Sequence, residues 1–421
     1  IRDGMLVPLF VENCWEFPAL FFALNRLGAV PVMVKNAFRR MEIEAIFSGC
    51  RPDALICDPE MREYIGTLAD GILILEKHEE RLLPVSGKIR PRPASAPMPA
   101  SGTISVNYTY RGIGRPLGAM VGEKGYIDAA DRYQRYVQFT PGDTALALLP
   151  MNHIFTMISS VMLPLMNSLT TYILQSVNPK AILDVLQNRN IHCLSSIPEI
   201  LVMLARVKRD ENMTDSLKVL VSGGSTLSED YHSLISDRFG VEVLNGYGLT
   251  EIAPVTANLR NDSKIGTLGE FCTGLSGRLA ENADSQNGEI QVMAKDTFFG
   301  YLNEPDLSAE VMDGEWFRTG DLARVSNGNV YFLGETKRTR KVNGQLVDLT
   351  EVEEALLNTG LVNQAVVDGQ TNHIHAEIHP AQGADAEDRL FQRNLRAAMS
   401  ELIAAYKIPR TFKKAGGTDE P

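Results

Sequence analysis

The sequence predicts an α/β fold: a large N-terminal domain of mostly parallel sheets with flanking helices and a β-rich subdomain, followed by a small α+β C-terminal domain. Apolar runs with strand and helix periodicity alternate from the first residues, which is typical of βαβ units. After Glu251 the apolar runs shorten and turn signals become frequent. A basic run at 337–341, followed by Asn343 and Gly344, marks the boundary that we predict, with domains at 1–336 and 337–421.

Periodicity predicts the individual elements of the large domain. We expect a strand over 7–11, a helix over 15–27 and a strand over 29–34, with the alternation continuing over 42–47 and 54–57. Prolines at 84, 91, 93, 97 and 99 predict that residues 84–102 form a surface connection. Strands over 144–149 and 217–221 run into polar or glycine-rich turns, and ligands bind at such carboxyl edges in open α/β sheets. Helices are expected over 179–188 and 197–209.

The C-terminal domain is predicted to contain a helix over 350–358, a hairpin over 364–379 and a helix over 386–405. In the second arm of the hairpin, His373, His375, Glu377 and His379 alternate with apolar residues. Three histidines and a glutamate on one face could bind a metal, but any half-exposed strand shows this alternation. We favour a solvated face.

Composition excludes several classes of protein. The chain has 52 acidic and 41 basic residues, a net charge of −11, which argues against nucleic-acid binding. Five widely spaced cysteines form no CxxC pair, so we predict neither a disulfide framework nor a zinc site, and a reducing, cytoplasmic compartment. The most apolar stretch, 146–169, is interrupted by Asn152, His153 and Asn167, so no membrane span is predicted. Since the first residues lack signal-peptide order, we expect the chain to begin inside a longer protein.

The stretch Asn245-Gly246-Tyr247-Gly248-Leu249-Thr250-Glu251 combines a glycine pair, an aromatic ring, a hydroxyl and a carboxylate. The glycines give the chain freedom to turn so that a flat ligand can lie against the main chain, and Tyr247 supplies a ring face. Thr250 and Glu251 suit a phosphate oxygen and a hard cation such as Mg²⁺. The alternative is a glycine-rich strand-to-helix turn with a surface glutamate.

Two further stretches are weaker as isolated patterns. In residues 108–120, Gly112, Gly114 and Gly118 could expose backbone N–H groups to a polyphosphate, with Arg111 or Arg115 adding charge. A β-turn without a ligand explains that pattern equally well. A carboxylate after a glycine turn, in Thr319-Gly320-Asp321, could hold two vicinal ribose hydroxyls, although this tripeptide is a common turn.

Taken in order, these motifs resemble the adenylate-forming superfamily of acyl-CoA synthetases, peptide-synthetase adenylation domains and luciferases. The resemblance covers almost the whole chain. Its motifs are the glycine-rich loop near 110 and the stretches 150–153, 222–227, 245–251, 300–305, 319–321, 334–344 and 350–356.

The resemblance implies a two-step ligase that uses ATP, Mg²⁺ and coenzyme A. A carboxylate attacks the α-phosphorus of ATP to give an acyl-adenylate and pyrophosphate, and a thiol then takes the acyl group. The implied nucleotide-binding residues are Thr109, Arg111, Gly112, Gly114 and Arg115 in the phosphate loop, Gly224, Ser225, Thr226 and Tyr247 at the adenine, with Asn245, Gly246 and Gly248 beside them, Asp321 on the ribose and Phe332 against the nucleoside.

The resemblance also implies the catalytic residues. Thr250 touches phosphate, Glu251 holds Mg²⁺, and His153 lies at the acyl pocket, where it gates the acid; a buried core histidine is the alternative. Lys337 matches the hinge about which the small domain turns. Lys341 and Gly344 then belong to the thiol tunnel of the second half-reaction.

The chain departs from the family pattern at three places. In the phosphate loop, Tyr110, Arg111, Gly112, Ile113 and Leu117 replace a serine, a glycine, two threonines and a lysine, and we expect Arg111 or Arg115 to compensate. Glu335 stands where the family usually has an arginine, so a repulsive carboxylate faces the nucleotide unless Lys337 or Arg338 pairs with it. The family's adenylation lysine would follow residue 421, since Lys413 and Lys414 come too early, so we expect either truncation or loss of that cation.

These motifs leave three functions open. The first is a carboxylic acid:CoA ligase, favoured by residues 148–153 and by the basic hinge. The second transfers the acyl group to the phosphopantetheine of a carrier protein, and the third is a weak or inactive homologue. Expected partners are a small carboxylic acid, a carrier protein in the second case, and a second copy in a homodimer, but no nucleic acid.

Overall fold

The computed structural model describes residues 1–78, 81–88, 96–175, 177–207, 216–280, 287–370, 373–381 and 384–415. Within these ranges the strands form three large sheets and two small ones, with helices packed between and around them. The predicted α/β class is confirmed.

The first sheet has eight strands. In spatial order they are β17 (Phe298–Tyr301), β7 (Leu117–Gly122), β6 (Thr103–Thr109), β2 (Val30–Met33), β1 (Leu6–Phe10), β3 (Ala54–Cys57), β4 (Leu73–His78) and β5 (Arg81–Ser86). The central strands pair in parallel, and every residue of β1 is buried, as expected where helices cover both faces.

The second sheet has seven strands, and those that approach the site run in parallel. Its order is β14 (Glu270–Phe271), β13 (Thr256–Ala257), β12 (Glu242–Tyr247), β11 (Val219–Ser222), β10 (Cys193–Ser196), β8 (Thr144–Ala147) and β9 (Thr170–Ile173). The third sheet is antiparallel. It contains β15 (Gly277–Leu279), β16 (Asn287–Met293), β19 (Trp316–Ser326) and β18 (Met312–Asp313), with β20 (Asn329–Glu335) paired to β19.

The last two sheets belong to residues 339–415, which we call the C-terminal unit; residues 1–336 are the large unit. The sheets are the hairpin β21 (Thr339–Val342) and β22 (Gln345–Asp348), and the three strands β23 (Val362–Gln370), β24 (His373–Pro380) and β25 (Thr411–Lys414). A separate core of buried residues between Val342 and Phe412 holds the C-terminal unit together. The domain boundary at 336/337 remains a prediction.

The helices vary in length and burial. They are α1 (Glu16–Arg26), α2 (Arg40–Cys50), α3 (Arg62–Ile65), α4 (Lys124–Val137), α5 (Ile154–Thr156), α6 (Leu163–Met166), α7 (Pro179–Asn188), α8 (Pro198–Val207), α9 (Glu229–Phe239), α10 (Pro305–Glu310), α11 (Leu349–Asn358) and α12 (Arg389–Leu402). In the part of the chain that is described, no helix is long and apolar enough to cross a membrane.

Helix α4 joins the cores of the first two sheets. Tyr126 packs on Phe21 of α1, and its neighbours share one buried cluster with Leu9 of the first sheet and Val219 of the second. Helix α1 buries Phe17, Phe21 and Leu24, the one-sided spacing of a helix against a core. The two sheets are therefore fixed relative to each other next to the site.

Most predicted elements occur within a few residues of their expected bounds, but two predictions are wrong. Residues 84–86 belong to β5, which pairs antiparallel with β4, so the predicted surface connection begins later; residues 89–95 lie outside the described ranges. Gly246 continues strand β12 and pairs with Ala257, where a turn was expected. On β24 the histidines and Glu377 are largely exposed while the intervening residues are buried. The described residues contain no group of three or more His, Cys, Asp or Glu side chains placed to hold a metal.

Candidate functional site

A cavity of about 130 Å³ lies at the carboxyl edge of the second sheet. Strands β10, β11 and β12 end there in register, with Ser196 beside Ser222 and Ser222 beside Asn245. Parallel strands bring their carboxyl ends to one edge of a sheet. The predicted motifs 222–227 and 245–251 therefore lie side by side at this edge.

The cavity brings together thirteen of the residues predicted from the motifs. They are Thr109, His153, Gly224, Asn245, Gly246, Tyr247, Gly248, Thr250, Glu251, Asp321, Lys337, Lys341 and Gly344. They come from both units of the chain, so the C-terminal unit forms part of the cavity wall.

The other predicted residues do not line the cavity: Arg111, Gly112, Gly114, Arg115, Ser225, Thr226 and Phe332. The hydroxyl of Ser225 donates to Oε1 of Glu199 at 2.9 Å. Arg115 lies 2.6 Å from Oε1 of Glu304 with half of its side chain exposed. Local sequence predicted the segment that carries each residue, but not whether the residue faces the cavity.

Asp321 is held from two sides. It follows the Thr319-Gly320 bend of β19, and its Oδ2 accepts a hydrogen bond of 2.5 Å from the hydroxyl of Tyr247. Its Oδ1 lies 3.3 Å from Nζ of Lys337. Burial, and then the charge of Asp321, raise the pKa of Tyr247, so the phenol remains the donor in this pair. The result is a fixed, charged acceptor at the cavity wall.

Neither of the two cations considered for Glu335, Lys337 and Arg338, pairs with it. Lys337 pairs with Asp321, and Arg338 pairs with Glu353 at 2.7 Å. Glu335 instead accepts a hydrogen bond of 2.6 Å from the hydroxyl of Thr339. The carboxylate of Glu335 therefore lines the cavity without a cation among the described residues.

Glu251 is buried and has two partners at one oxygen. The hydroxyl of Tyr301 donates to Oε1, and Nη1 of Arg111 lies 3.8 Å from the same atom. The guanidinium of Arg111 also stacks 5.3 Å from the ring centre of Phe317 and donates to the carbonyl of Arg318 at 3.1 Å. Arg111 is thus clamped beside Glu251.

The surroundings of Glu251 fit a magnesium ion. In the described chain no hydrogen bond or ion pair reaches its Oε2, and the residue lines the cavity. Mg²⁺ commonly binds one or two carboxylates together with phosphate oxygens and water. Glu251 would hold the ion, which would neutralise charge on the phosphates.

His153 is a neutral donor in the cavity. It precedes the short helix α5, and its Nδ1 accepts a hydrogen bond of 3.3 Å from the backbone N–H of Phe155. Burial lowers the pKa of His153 to about 3, with further lowering by Lys35 and Lys341. In a neutral imidazole whose Nδ1 accepts, Nε2 carries the proton.

The hairpin of β21 and β22 reaches the cavity through its turn. Asn343 and Gly344 both have positive φ, 48° and 72°, as an Asn-Gly type I′ turn requires. A Cβ on Gly344 would lie 2.5 Å from Cγ2 of Ile197, so only glycine fits. Lys341 on the same hairpin has its Nζ 5.9 Å from the ring centre of Tyr247.

Several cavity residues escaped the motifs because each belongs to an ordinary apolar stretch or a lone charge. They are Lys35, Tyr133, Tyr136, Val137, Ile158, Leu244, Ala253, Pro254 and Leu346. Lys35 donates to Oε1 of Gln345 at 2.9 Å, and burial, together with Lys407, lowers its pKa to about 8. The position of Lys35 directly after a predicted strand was the one sequence feature that could have indicated a site residue.

Comparisons with known proteins agree with the motifs. Residues 1–302 match the family model described as AMP-binding enzyme. A feruloyl-CoA synthase from Amycolatopsis sp is 26% identical, over 98% of this chain and 85% of that protein. A 4-coumarate–CoA ligase from Pinus taeda is 22% identical, over 97% of this chain and 81% of that protein. The structure of a malonyl-CoA ligase with methylmalonyl-CoA and AMP bound has a TM-score of 0.84 at 23% identity, covering 98% of this chain and 90% of that one, which shows the shared fold.

Proposed function

Because the chain belongs to the AMP-binding enzyme family, and so to the adenylate-forming superfamily that its motifs predicted, we propose that the acid on which it acts is a small aromatic one. The protein is an ATP-dependent carboxylic acid:CoA ligase that uses ATP, Mg²⁺ and coenzyme A. It activates a carboxylate as an acyl-adenylate and transfers the acyl group to a thiol.

The aromatic part of the cavity carries the proposal. One wall is formed by rings and aliphatic groups without a charged side chain: Tyr133, Tyr136, Val137, Phe155, Ile158, Leu244, Ala253 and Pro254. The rings of Tyr133 and Phe155 lie 6.4 Å apart, centre to centre, and are tilted by 50°. Aromatic rings pack edge-to-face or offset at such separations, so a further ring can pack against this pair in the same way.

Hydrogen bonds outside the cavity fix two of these rings. The hydroxyl of Tyr133 bonds to Oγ of Ser195 at 2.7 Å, and the hydroxyl of Tyr136 accepts the N–H of Thr273 at 2.8 Å. Both phenols are therefore satisfied without a ligand and present their ring surfaces to it. A preformed apolar pocket orders fewer side chains on binding.

Gly223 sets how close the acid can come to the sheet edge. A Cβ on this residue would lie 3.2 Å from Cζ of Phe155, so the glycine leaves the ring in contact with the main chain. We assign the space between this wall and Nε2 of His153 to the acyl group. His153 then donates to the reacting carboxylate and orients it.

The polar residues that line the cavity suit the nucleotide. In this assignment Asp321 accepts from the ribose hydroxyls, Tyr247 lies against the adenine, and Thr250 donates to a phosphate. Fixed charges and donors act in such reactions mainly by positioning the reactants and stabilising developing charge. Lys341 and the turn at Gly344 border the path of the thiol.

A panel of acids tests the proposal. The protein is incubated with ATP, Mg²⁺ and coenzyme A, together with benzoate, 4-hydroxycinnamate, octanoate or malonate, and thioesters and hydroxylamine-trapped acyl-adenylates are measured. We expect kcat/KM for at least one aromatic acid to exceed that for octanoate and malonate by about tenfold or more, since each 1.4 kcal/mol of binding gives that factor. A preference for the aliphatic or the dicarboxylic acid would contradict the proposal.

A pocket variant supplies the control. Phe155→Ala should lower kcat/KM for the aromatic acid while leaving the KM for ATP unchanged, because the ring lies in the apolar wall. Phe22→Ala removes an exposed phenylalanine on α1 and should change neither. Replacing coenzyme A by a phosphopantetheine-bearing carrier protein in the same assay identifies the acceptor; we expect coenzyme A.

A further inference from the structure

A fully buried lysine lies between the C-terminal unit and the large unit. Nζ of Lys407 is 2.8 Å from Oε1 of Glu42, 2.5 Å from Oε2 of Glu351 and 2.8 Å from the hydroxyl of Tyr110. An ammonium group has three donors, and here each has an acceptor. The rings of Phe38 and Tyr110 flank the charge at 5.5 and 4.4 Å. We call Glu42, Tyr110, Glu351 and Lys407 the buried cluster.

The buried cluster joins the two units. Glu42 on α2 and Tyr110, directly after β6, belong to the large unit, whereas Glu351 on α11 and Lys407 belong to the C-terminal unit. Tyr110 donates to Oε1 of Glu351 at 3.1 Å, and Oε1 of Glu42 also accepts the N–H of Ala404 at 3.0 Å. Hydrogen bonds of both carboxylates therefore cross the boundary.

The same contact covers the glycine-rich loop that begins at Tyr110. The N–H of Gly114 donates to Oδ2 of Asp348 at 3.0 Å, and this aspartate also begins helix α11. A Cβ on Gly112 would lie 2.7 Å from the backbone nitrogen of Arg338. In this arrangement the loop packs against the segment 338–354.

The hairpin of β21 and β22 enters the cavity in this same arrangement. Lys341 and Gly344 line the cavity, and Lys35 of the large unit holds the hairpin through Gln345. Covering the loop and inserting the hairpin are two results of one docking, because Asp348 lies in the hairpin and also bonds the loop.

We propose that Glu42 and Tyr110 are positioning residues, which dock the Lys407–Glu351 pair so that the hairpin lies in the cavity for thiol transfer. The inference depends on the proposed role of the hairpin in the thiol step. It gives Tyr110 a function at a position where the phosphate loop departs from the family pattern.

Charge makes the docking selective. When the C-terminal unit is docked, Glu42 is completely buried, and a buried carboxylate is tolerated only with a cation and hydrogen bonds. Lys407 supplies the cation and a hydrogen bond to Glu42 when the two units are docked as in this structure. When the unit leaves, Lys407 keeps Glu351 as its partner while Glu42 becomes accessible to water, so neither side is left with a buried unpaired charge.

The variant Glu42→Gln tests the proposal, with Glu44→Gln as its matched control. Glu44 lies on the same helix but pairs with Arg40 at the surface. Acyl-adenylate formation is measured by pyrophosphate exchange with benzoate, and the second step by thioester formation from added benzoyl-adenylate. We expect Glu42→Gln to slow thioester formation about tenfold, as loss of a charged hydrogen bond predicts, while exchange stays unchanged or rises. Equal losses in both steps, or no difference from Glu44→Gln, would overturn the proposal.

Amide hydrogen exchange gives a readout that needs no acid and so remains decisive whichever acid is the substrate. Peptides covering 110–116 and 339–348 should lose protection together in Glu42→Gln and in Tyr110→Phe, but not in Glu44→Gln. Peptides from β11 and β12 should keep theirs in all variants, which separates undocking from unfolding. Unchanged protection in both cluster variants would reject the docking role of Glu42 and Tyr110, even if thioester formation had slowed.

Discussion

The hydroxyl of Tyr247 lies 2.5 Å from Oδ2 of Asp321, although 74 residues separate them in the chain. The first residue ends a strand of the second sheet, and the second lies on a strand of the third. The contact therefore ties the ring that we assign to adenine to the carboxylate that we assign to ribose.

Removing this hydroxyl should weaken nucleotide binding. In Tyr247→Phe the carboxylate of Asp321 keeps Lys337 but loses its neutral donor, and a lost hydrogen bond to a charged group costs about 1.5–3 kcal/mol. We expect the Kd for AMP, measured by calorimetry, to rise by about tenfold or more. Tyr331→Phe, whose ring stacks under Arg324 far along the hairpin of β19 and β20, should leave the Kd unchanged. An unchanged Kd in Tyr247→Phe would contradict the assignment of Asp321 to the nucleotide.

The two arginines of the glycine-rich loop should behave differently. Arg111 is buried beside Glu251, whereas Arg115 forms a half-exposed ion pair with Glu304. Exposed pairs contribute about 0–1 kcal/mol, while removing one partner of a buried pair is far more disruptive. Arg111→Ala should therefore slow pyrophosphate exchange by about tenfold or more, and Arg115→Ala by less than about twofold. Wild-type rates in both variants would show that neither arginine supplies the missing charge of the loop.

Magnesium dependence should report on Glu251. Glu251→Gln keeps an oxygen for the hydroxyl of Tyr301 but removes the negative charge. The concentration of Mg²⁺ for half-maximal pyrophosphate exchange should rise about tenfold or more, because a hard cation prefers carboxylate oxygen. Glu304→Gln, which alters only the surface pair with Arg115, provides the comparison. An unchanged Mg²⁺ requirement in Glu251→Gln would remove this residue from the metal site.

The sequence predicted those parts of the site that short motifs define. Each of the stretches 245–251 and 319–321 is continuous in the chain, so its chemistry is visible locally. The parallel strands β11 and β12 also bring 222–227 and 245–251 to one edge of the second sheet. The Asn-Gly turn at 343–344 was visible for the same reason, since its positive φ values select these residues.

The contacts between distant segments could not be predicted in this way. Glu42 and Lys407 are separated by most of the chain, and each is an ordinary charged residue in its own helix or turn. Tyr110 was noticed only as a departure from the phosphate-loop pattern. Sequence neighbours left open whether Lys337 pairs with Glu335, and in the structure β19 brings Asp321 to Lys337 instead. Tertiary packing decides such pairs.

His153 should make stability depend on pH. Burial, with Lys35 and Lys341, lowers its pKa to about 3, below the value of about 6.5 in an unfolded chain. The unfolded state therefore binds the proton first, so this contribution is complete above pH 6.5 and falls by up to about 1.4 kcal/mol per pH unit below it. Urea denaturation at pH 7.5, 6 and 5 should show a shallower loss in His153→Gln than in the wild type. His373→Gln, at an exposed position on β24, should match the wild type; equal slopes in all three proteins would mean that His153 becomes protonated without cost.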